Sequence, residues 1–353
     1  MAIFQIPAST TFEEQQLYKT SKYPRIRYMG SKYKVIPYIA SILRGIEFET
    51  FLDAFSGSGV VSYAVKEMGK EVTSNDFLTF SSAIAKSVIE NNHVTLEAKD
   101  IEGLLMPNRD GRSFIATTFK GLYFPQEDHE FLDGIWSHLC LLPEYKRELA
   151  IAALCLAAAR KQPRGVFTIS DLRYDDGRRT MHLPLKELFL EAVAEYNASV
   201  FSNGRLNAAT NKDVLEYEKT DFDVVYLDPP YAPPKDDADY IKRYHFLEGL
   251  SVYWDGLKIM EETKSKKIPK RFTPFANKRT VSEALLSLFK KYERSIIVMS
   301  YSSNSVPGEK EIVQMLRSIK KDVAIYSVPH TYSFGTHESA TRRKVEEYIF
   351  VAR

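Results

Sequence analysis

The sequence predicts an α/β fold, a mostly parallel, doubly wound sheet interrupted by a mainly helical insertion. Three observations predict it. The apolar run Val224-Val225-Tyr226-Leu227 reads as a buried parallel strand, ending in Asp228-Pro229-Pro230-Tyr231. A strand–turn–helix–strand–acid series runs from Thr50 to Asp76. Sheet signals then stop between roughly residues 100 and 203 and resume beyond them.

Thr50 to Ala54 reads as a short buried strand, Phe55 to Gly59 as a tight turn, and Val60 to Met68 as a helix. Glu71 to Ser74 is a second strand ending in Asn75-Asp76, and Phe80 to Asn91 a second helix. This spacing is Rossmann-like. Residues 100–203 read as helical and irregular. Their most apolar helix, Glu148 to Lys161, is too short and too charged at its flanks for a membrane span and reads as the insertion's own core. Strands are expected again at Arg205 to Thr210, Val224 to Leu227, Ser295 to Met299, Val323 to Val328 and Tyr348 to Val351. Helices at Ser282 to Tyr292 and Glu309 to Lys320 separate some of them. No helix signal lies between the last two strands, so the final one is expected to pair antiparallel through a turn near Thr331 to Lys344. The expected division is a catalytic domain of residues 1–99 and 204–353 with an insertion of residues 100–203. The stretches Pro233 to Asp239 and Thr263 to Lys278 read as loops.

Composition limits the class. The chain has 353 residues, 44% hydrophobic and 27% charged, which suits a globular protein with a sizeable core. No apolar run is long enough to span a membrane, and Met1 to Thr20 lacks the pattern of a signal peptide. Cys140 and Cys155 are too few for a disulfide framework or a Cys-rich zinc site, so a cytoplasmic location is expected. The net charge of +2 alone predicts no polyanion partner. Local patterning does. Lys264, Lys266, Lys267, Lys270, Arg271, Lys278 and Arg279 fall in one stretch without an acid, and so do Lys19, Lys22, Arg25, Arg27, Lys32 and Lys34. Arg160, Lys161, Arg164, Arg173, Arg178 and Arg179 form a third, more mixed group.

The chemistry concentrates at strand ends, where open α/β sheets bind ligands. The turn suits a flat ring with an exocyclic amine: Asp228 can accept one N–H, a carbonyl of the Pro229-Pro230 step can accept the other, and the Tyr231 ring can stack on the base. Proline donates no N–H, so the turn presents acceptors. Gly57 and Gly59 let the backbone approach a ligand closely. Asp76, about 20 residues on, is placed for ribose hydroxyls. Ser62 stands where a dinucleotide fingerprint has its third glycine, which tells against a pyrophosphate ligand.

Together with Arg27-Tyr28-Met29-Gly30-Ser31-Lys32, Asn211-Lys212-Asp213-Val214 and Tyr240 to Gly249, these features resemble the amino-group DNA methyltransferases. The order of motifs is similar to the α arrangement of Dam-like enzymes and type IIS restriction-system methylases, the D12 class. The resemblance covers the motifs and the predicted sheet but not the insertion. It implies a Rossmann-like methyltransferase sheet, S-adenosyl-L-methionine as cofactor and no metal. It assigns Tyr28, Gly30, Lys32, Asp53, Phe55, Gly57, Gly59, Asp76, Asp213 and Asp228 to the cofactor, with Tyr28 and Asp213 at its adenine. It gives catalysis to Asp228, Pro229, Pro230 and Tyr231 and implies adenine N6 as the target. Direct attack on the sulfonium methyl builds positive charge on nitrogen, which Asp228 stabilises. A duplex base must flip to be reached, and Tyr240 and Tyr244 are candidates for its second face.

The implied partners are double-stranded DNA and a separately encoded cognate endonuclease, with no membrane. The insertion is the expected target-recognition region. Arg160, Arg164 and Arg173 within it, and Lys266, Lys267, Lys270 and Arg271 in the basic loop, are the expected nucleic-acid contacts. An RNA amino-group methyltransferase and an inactive nucleic-acid-binding specificity subunit are the alternative readings.

Overall fold

The computed structural model of the protein describes residues 3–4, 22–168, 175, 177–232, 239–333 and 342–353. Arg173 and most of the Pro233 to Asp239 stretch lie outside the described residues.

The strands are β1 (Ile3–Phe4), β2 (Thr50–Asp53), β3 (Glu71–Asn75), β4 (Ala208–Thr210), β5 (Val224–Leu227), β6 (Ile296–Ser302), β7 (Val323–Ser333) and β8 (Arg342–Ala352). They form one sheet in the order β1-β7-β8-β6-β5-β2-β3-β4. From β4 to β6 the neighbours are parallel. β8 runs antiparallel, paired with β7 as the sequence suggests and also with β6. The strand order reverses between β2 and β5, and the carboxyl ends of those two strands flank the resulting crevice.

The helices are α1 (Ile36–Arg44), α2 (Val60–Glu67), α3 (Thr79–Ala85), α4 (Ala98–Leu104), α5 (Phe114–Thr118), α6 (Gln126–Leu139), α7 (Glu144–Lys161), α8 (Arg179–His182), α9 (Leu185–Ser199), α10 (Tyr240–Val252), α11 (Val281–Lys291) and α12 (Glu309–Arg317). None among the described residues is long and apolar enough to cross a membrane.

β5 is apolar throughout because both sheet faces are covered. Val224 and Tyr226 enter one core with α1, α2, α3, α7, α9 and α10, while Val225 and Leu227 enter a second with α11 and α12. The expectation that the Glu148 to Lys161 segment makes a core of its own is corrected here. Leu149 to Ala159 share one continuous core with Phe80, Ile84, Phe246 and the sheet residues Phe51 and Tyr226. The inserted helices thus sit on one face of the sheet, and α7 packs on α3, α9 and α10.

Two polar ties fix the elements nearest the crevice. Glu248 of α10 accepts the otherwise orphaned backbone N–H groups of Thr79 and Phe80 at the start of α3, at 2.9 and 3.3 Å. Asp239 caps α10 by accepting the Lys242 N–H at 3.0 Å.

Candidate active site

The carboxyl ends of β2, β3 and β5 bring Asp53, Asp76 and Asp228 to one cleft. Its other walls come from the glycine turn and from Tyr28 to Lys32 and Tyr240. The cleft encloses about 600 Å³ of space, including the part open to solvent.

At the β5 end, Pro229 and Pro230 are buried, and Ala232 bridges to Val306, whose N–H it accepts at 3.1 Å. This bridge fixes the turn that carries Tyr231. The Tyr231 ring lies edge-on to Tyr301 at 5.0 Å. Asp228 is not free. Its Oδ2 pairs with the Lys32 ammonium at 2.7 Å and its Oδ1 accepts the Tyr231 hydroxyl at 2.9 Å. The same hydroxyl donates to Glu347 on β8, and Lys32 Nζ lies 3.5 Å from that carboxylate. Lys32 is 5% exposed, also donates to the Gly30 carbonyl at 2.8 Å, and stands 5.1 Å from the centre of the Tyr231 ring. Burial pushes Asp228 up to about 6, although Lys32 and Tyr231 pull the other way. Burial pulls Lys32 down, but the carboxylates of Asp228 and Glu347 outweigh it and hold the ammonium above its usual value.

On the β2–β3 side, the glycine turn is tied to the end of β3. Asp76 accepts the Gly57 N–H at 2.7 Å and the Leu78 N–H at 2.8 Å. Gly57 has φ +50°, and a Cβ there would lie 2.8 Å from the Tyr28 ring, so only glycine admits this approach. Burial pushes Asp53 up to about 7 and Asp76 up to about 6; Asp228 and Asp76 add to the rise at Asp53, and Glu248 adds to that at Asp76. Asp53 accepts both the hydroxyl and the N–H of Ser62, yet its Oδ1 is buried without a hydrogen-bond partner among the described residues, as is the Ser56 hydroxyl. Both residues line the cleft. Buried polar atoms ordinarily find partners, so the cleft is built for a ligand with hydrogen-bond donors and positive charge. S-adenosylmethionine, with an ammonium, a sulfonium and ribose hydroxyls, fits that donor set.

Asp213 belongs to a smaller adjoining pocket with Phe55, Phe77, Pro230, Thr273 and Phe275, where Phe275 meets Phe55 edge-on at 5.1 Å. Tyr28 does not line it. Its ring stacks on Tyr244 at 4.9 Å and 5°, beside Gly57. The two residues expected at one adenine thus sit in different pockets.

Tyr240 lines the cleft and donates to the Met29 carbonyl at 3.2 Å. Tyr244 is corrected as a base-stacking residue. It is wholly buried behind Tyr28, and its hydroxyl accepts the Met29 N–H at 2.6 Å, so it buttresses the wall from inside. Arg160 makes a two-pronged pair with Glu195, at 2.6 Å for each prong, within the insertion. The side chain of Arg164 is outside the described set. Lys266 pairs with Glu261 at 2.5 Å, and Lys270 lies 3.6 Å from Asp239. Lys267 is half-buried and donates its N–H to Thr263. Arg271 packs over the Phe77 ring at 5.2 Å and donates to the Phe77 carbonyl, so the basic loop touches a residue shared by both pockets.

Glu347, Phe77 and Phe275 are among the site residues that the motifs do not reveal. A glutamate in the inward-facing register of an apolar strand is the one signal for the first.

The sequence resembles known proteins over most of its length. It is 29% identical to the type II methyltransferase M2.HphI of Haemophilus parahaemolyticus over 94% of this chain and 98% of that protein. It is 27% identical to the type II methyltransferase M.FokI of Planomicrobium okeanokoites and 26% identical to the modification methylase StsI of Streptococcus sanguinis, each over 92% of this chain. The match spans 52% and 51% of those two proteins, so the chain corresponds to about half their length. The sequence model of the D12 class N6 adenine-specific DNA methyltransferases matches residues 28–315. That span runs from Tyr28 through the glycine turn and the insertion to the Asp228 turn and beyond. With the acidic cleft at the sheet's reversal point, it establishes that the chain belongs to the D12 class N6 adenine-specific DNA methyltransferase family.

Proposed function

We propose that the chain moves the methyl group of S-adenosylmethionine onto N6 of an adenine flipped out of specific duplex DNA, as the modification partner of a separately encoded endonuclease in a cytoplasmic restriction–modification system. Family membership implies that methyl donor, and the type II names of the relatives support the setting. The observation that carries the reading is the acid-lined cleft, with Asp53 Oδ1 unpartnered among the described residues, beside the Asp-Pro-Pro-Tyr turn.

The donor supplies an electrophilic methyl; the residues do the rest. Phe55, Phe77 and Phe275 would offer its adenine an apolar wall beside Asp213. Asp76 accepts ribose hydroxyls, using lone pairs left over from Gly57 and Leu78. Asp53 Oδ1 accepts the ammonium. Gly57, Gly59, Gly30 and Tyr28 form the close wall along the methionine end. Asp228 and the Pro229 carbonyl take the two N–H groups of the target amine, drawing its lone pair out of the ring, and Asp228 stabilises the charge that develops on nitrogen. Tyr231 offers its ring to the flipped base and Tyr240 closes the other side. Arg271, Lys270, Lys267 and Lys266 face the phosphates, and the insertion of residues 100–203 reads the target sequence.

Transfer of labelled methyl groups to duplex DNA, followed by nucleoside analysis, tests this. N6-methyladenine is expected, and methyl transfer confined to RNA, or to another base, overturns it. The Asp228→Ala variant is expected to keep DNA affinity within about threefold while losing at least about a hundredfold in transfer rate. Sequencing of modified bases in DNA from expressing cells gives the site.

A further inference from the structure

Glu347 stands on β8 opposite Ser302 of β6 and Val328 of β7, with its side chain 1% exposed. Ile349 and Val351, two and four residues on, point to the same face and enter the apolar core. A carboxylate therefore occupies a register position made for an aliphatic side chain. Burying it is unfavourable unless it is paired and hydrogen-bonded, and here it meets the Tyr231 hydroxyl and the Lys32 ammonium.

Asp228 has the same two partners. Both of its oxygens are engaged, one by Lys32 at 2.7 Å and one by Tyr231 at 2.9 Å. A phenol has a single hydrogen, and this one has two carboxylates within reach. The ammonium likewise stands between both, nearer Asp228. A target amine must share Asp228 with both partners or displace one, and each has Glu347 to turn to. Lys32 also stands over the ring that the base must cover.

We propose that Glu347 is a positioning residue for methyl transfer: as the amine reaches Asp228, the Tyr231 hydroxyl and the Lys32 ammonium pass to Glu347, which frees an Asp228 oxygen and the face of the Tyr231 ring. The exchange moves hydrogen bonds without breaking a covalent bond. It rests on the reading that Asp228 receives an adenine amine.

The test is Glu347→Gln, which keeps the size and one acceptor oxygen and removes the charge. Its single-turnover transfer rate at saturating donor and DNA is expected to fall at least about tenfold, with both dissociation constants within about twofold of wild type. The decisive readout is that rate on the plateau of the rate–pH profile, and its acid limb reports the loss of charge. Glu347 raises Asp228 by like charge, so the limb moves to lower pH in the variant. The other groups facing Asp228 are Lys32, Asp53, Tyr226, Tyr231 and Tyr240, and all are unchanged. A merely structural glutamate would lower the unfolding temperature and move the limb by the same like charge, but would leave the rate on the pH plateau unchanged. Should Glu347→Gln fail to fold, Glu347→Asp decides: it keeps the charge, so the limb stays while the rate falls, and a wild-type rate overturns the proposal. A wild-type plateau rate in Glu347→Gln also overturns it. Absence of N6 transfer by the wild-type protein overturns the underlying reading as well, and the two failures are thereby distinguished.

Discussion

Replacing Lys32 with methionine removes the ammonium from between two buried carboxylates and keeps the packing of its stem. The size of the effect follows from Asp228, which is 17% exposed and stands at about 6, raised from an ordinary 3.8. A raised carboxyl favours folding when protonated. Its contribution is complete below pH 3.8 and is lost as pH rises to about 6, where ionisation beside Lys32 ends the loss. Without Lys32 the folded value moves higher, so the loss continues above pH 6 at about 1.4 kcal/mol per pH unit for as long as the carboxyl stays protonated. Counting Asp228 alone, the variant loses almost nothing extra at pH 5, about 1.4 kcal/mol at pH 7 and about 2.7 kcal/mol at pH 8. Typical unfolding entropies for a chain of this size give about 0.7 kcal/mol per degree, so the added drop in melting temperature is about 2 °C at pH 7 and about 4 °C at pH 8. Thermal unfolding of both proteins without cofactor at the three pH values measures it. A gap between variant and wild type that is constant across pH, or that widens towards pH 5, refutes the assignment of Lys32 as the counter-ion of Asp228.

Two further outcomes are expected. Asp53 at about 7 and Asp76 and Asp228 at about 6 are partly protonated near pH 6.5, and a cationic donor lowers all three. Binding of S-adenosylmethionine should therefore release about one proton at pH 6.5 and weaken as pH falls, as calorimetry in buffers of different ionisation enthalpy would show; proton uptake would contradict this. Arg271→Ala should reduce the salt slope of DNA binding by about one and also weaken donor affinity several-fold, because the guanidinium packs on Phe77, a wall of both pockets. Unchanged donor affinity, measured by titration without DNA, would separate the loop from the cofactor site.

The parts of this molecule legible in the sequence are those set by local pattern. The apolar run before Asp228, the glycine turn and Asp76 each announce a strand end, and strand ends share one edge of a parallel sheet, so the cleft follows from their order. What depends on how distant segments meet was not legible. Arg160 has a basic neighbourhood in sequence, yet in the fold its guanidinium meets Glu195 across two packed helices. Tyr244 lies one helical turn beyond Tyr240 and so faces the same way, but the chain at Tyr28 passes over it and takes the exposed position. The strand expected at Arg205 to Thr210 shortens to Ala208–Thr210 because the Asn207 side chain, not a backbone carbonyl, accepts the Val72 N–H. The helix expected over Phe80 to Asn91 does run that far, though its last turn, Lys86–Glu90, widens to π-type bonding. Nothing local marks the basic loop as a wall of the pocket beside Asp213, since Phe275 reaches Phe55 only after the sheet has formed.

The placement of β8 has a consequence for how the protein comes into being. It follows the other seven described strands in chain order, yet it lies inside the sheet with a neighbour on each side. Until it inserts, β6 and β7 present unpaired edges, a hazard for association with other chains. Its contacts with β6 close a loop of some forty residues, a non-local step that slows folding. A nascent chain that has already made Lys32, Asp228 and Tyr231 lacks the carboxylate that completes their network. Competence for methyl transfer therefore arrives together with the closing of the sheet and cannot precede it.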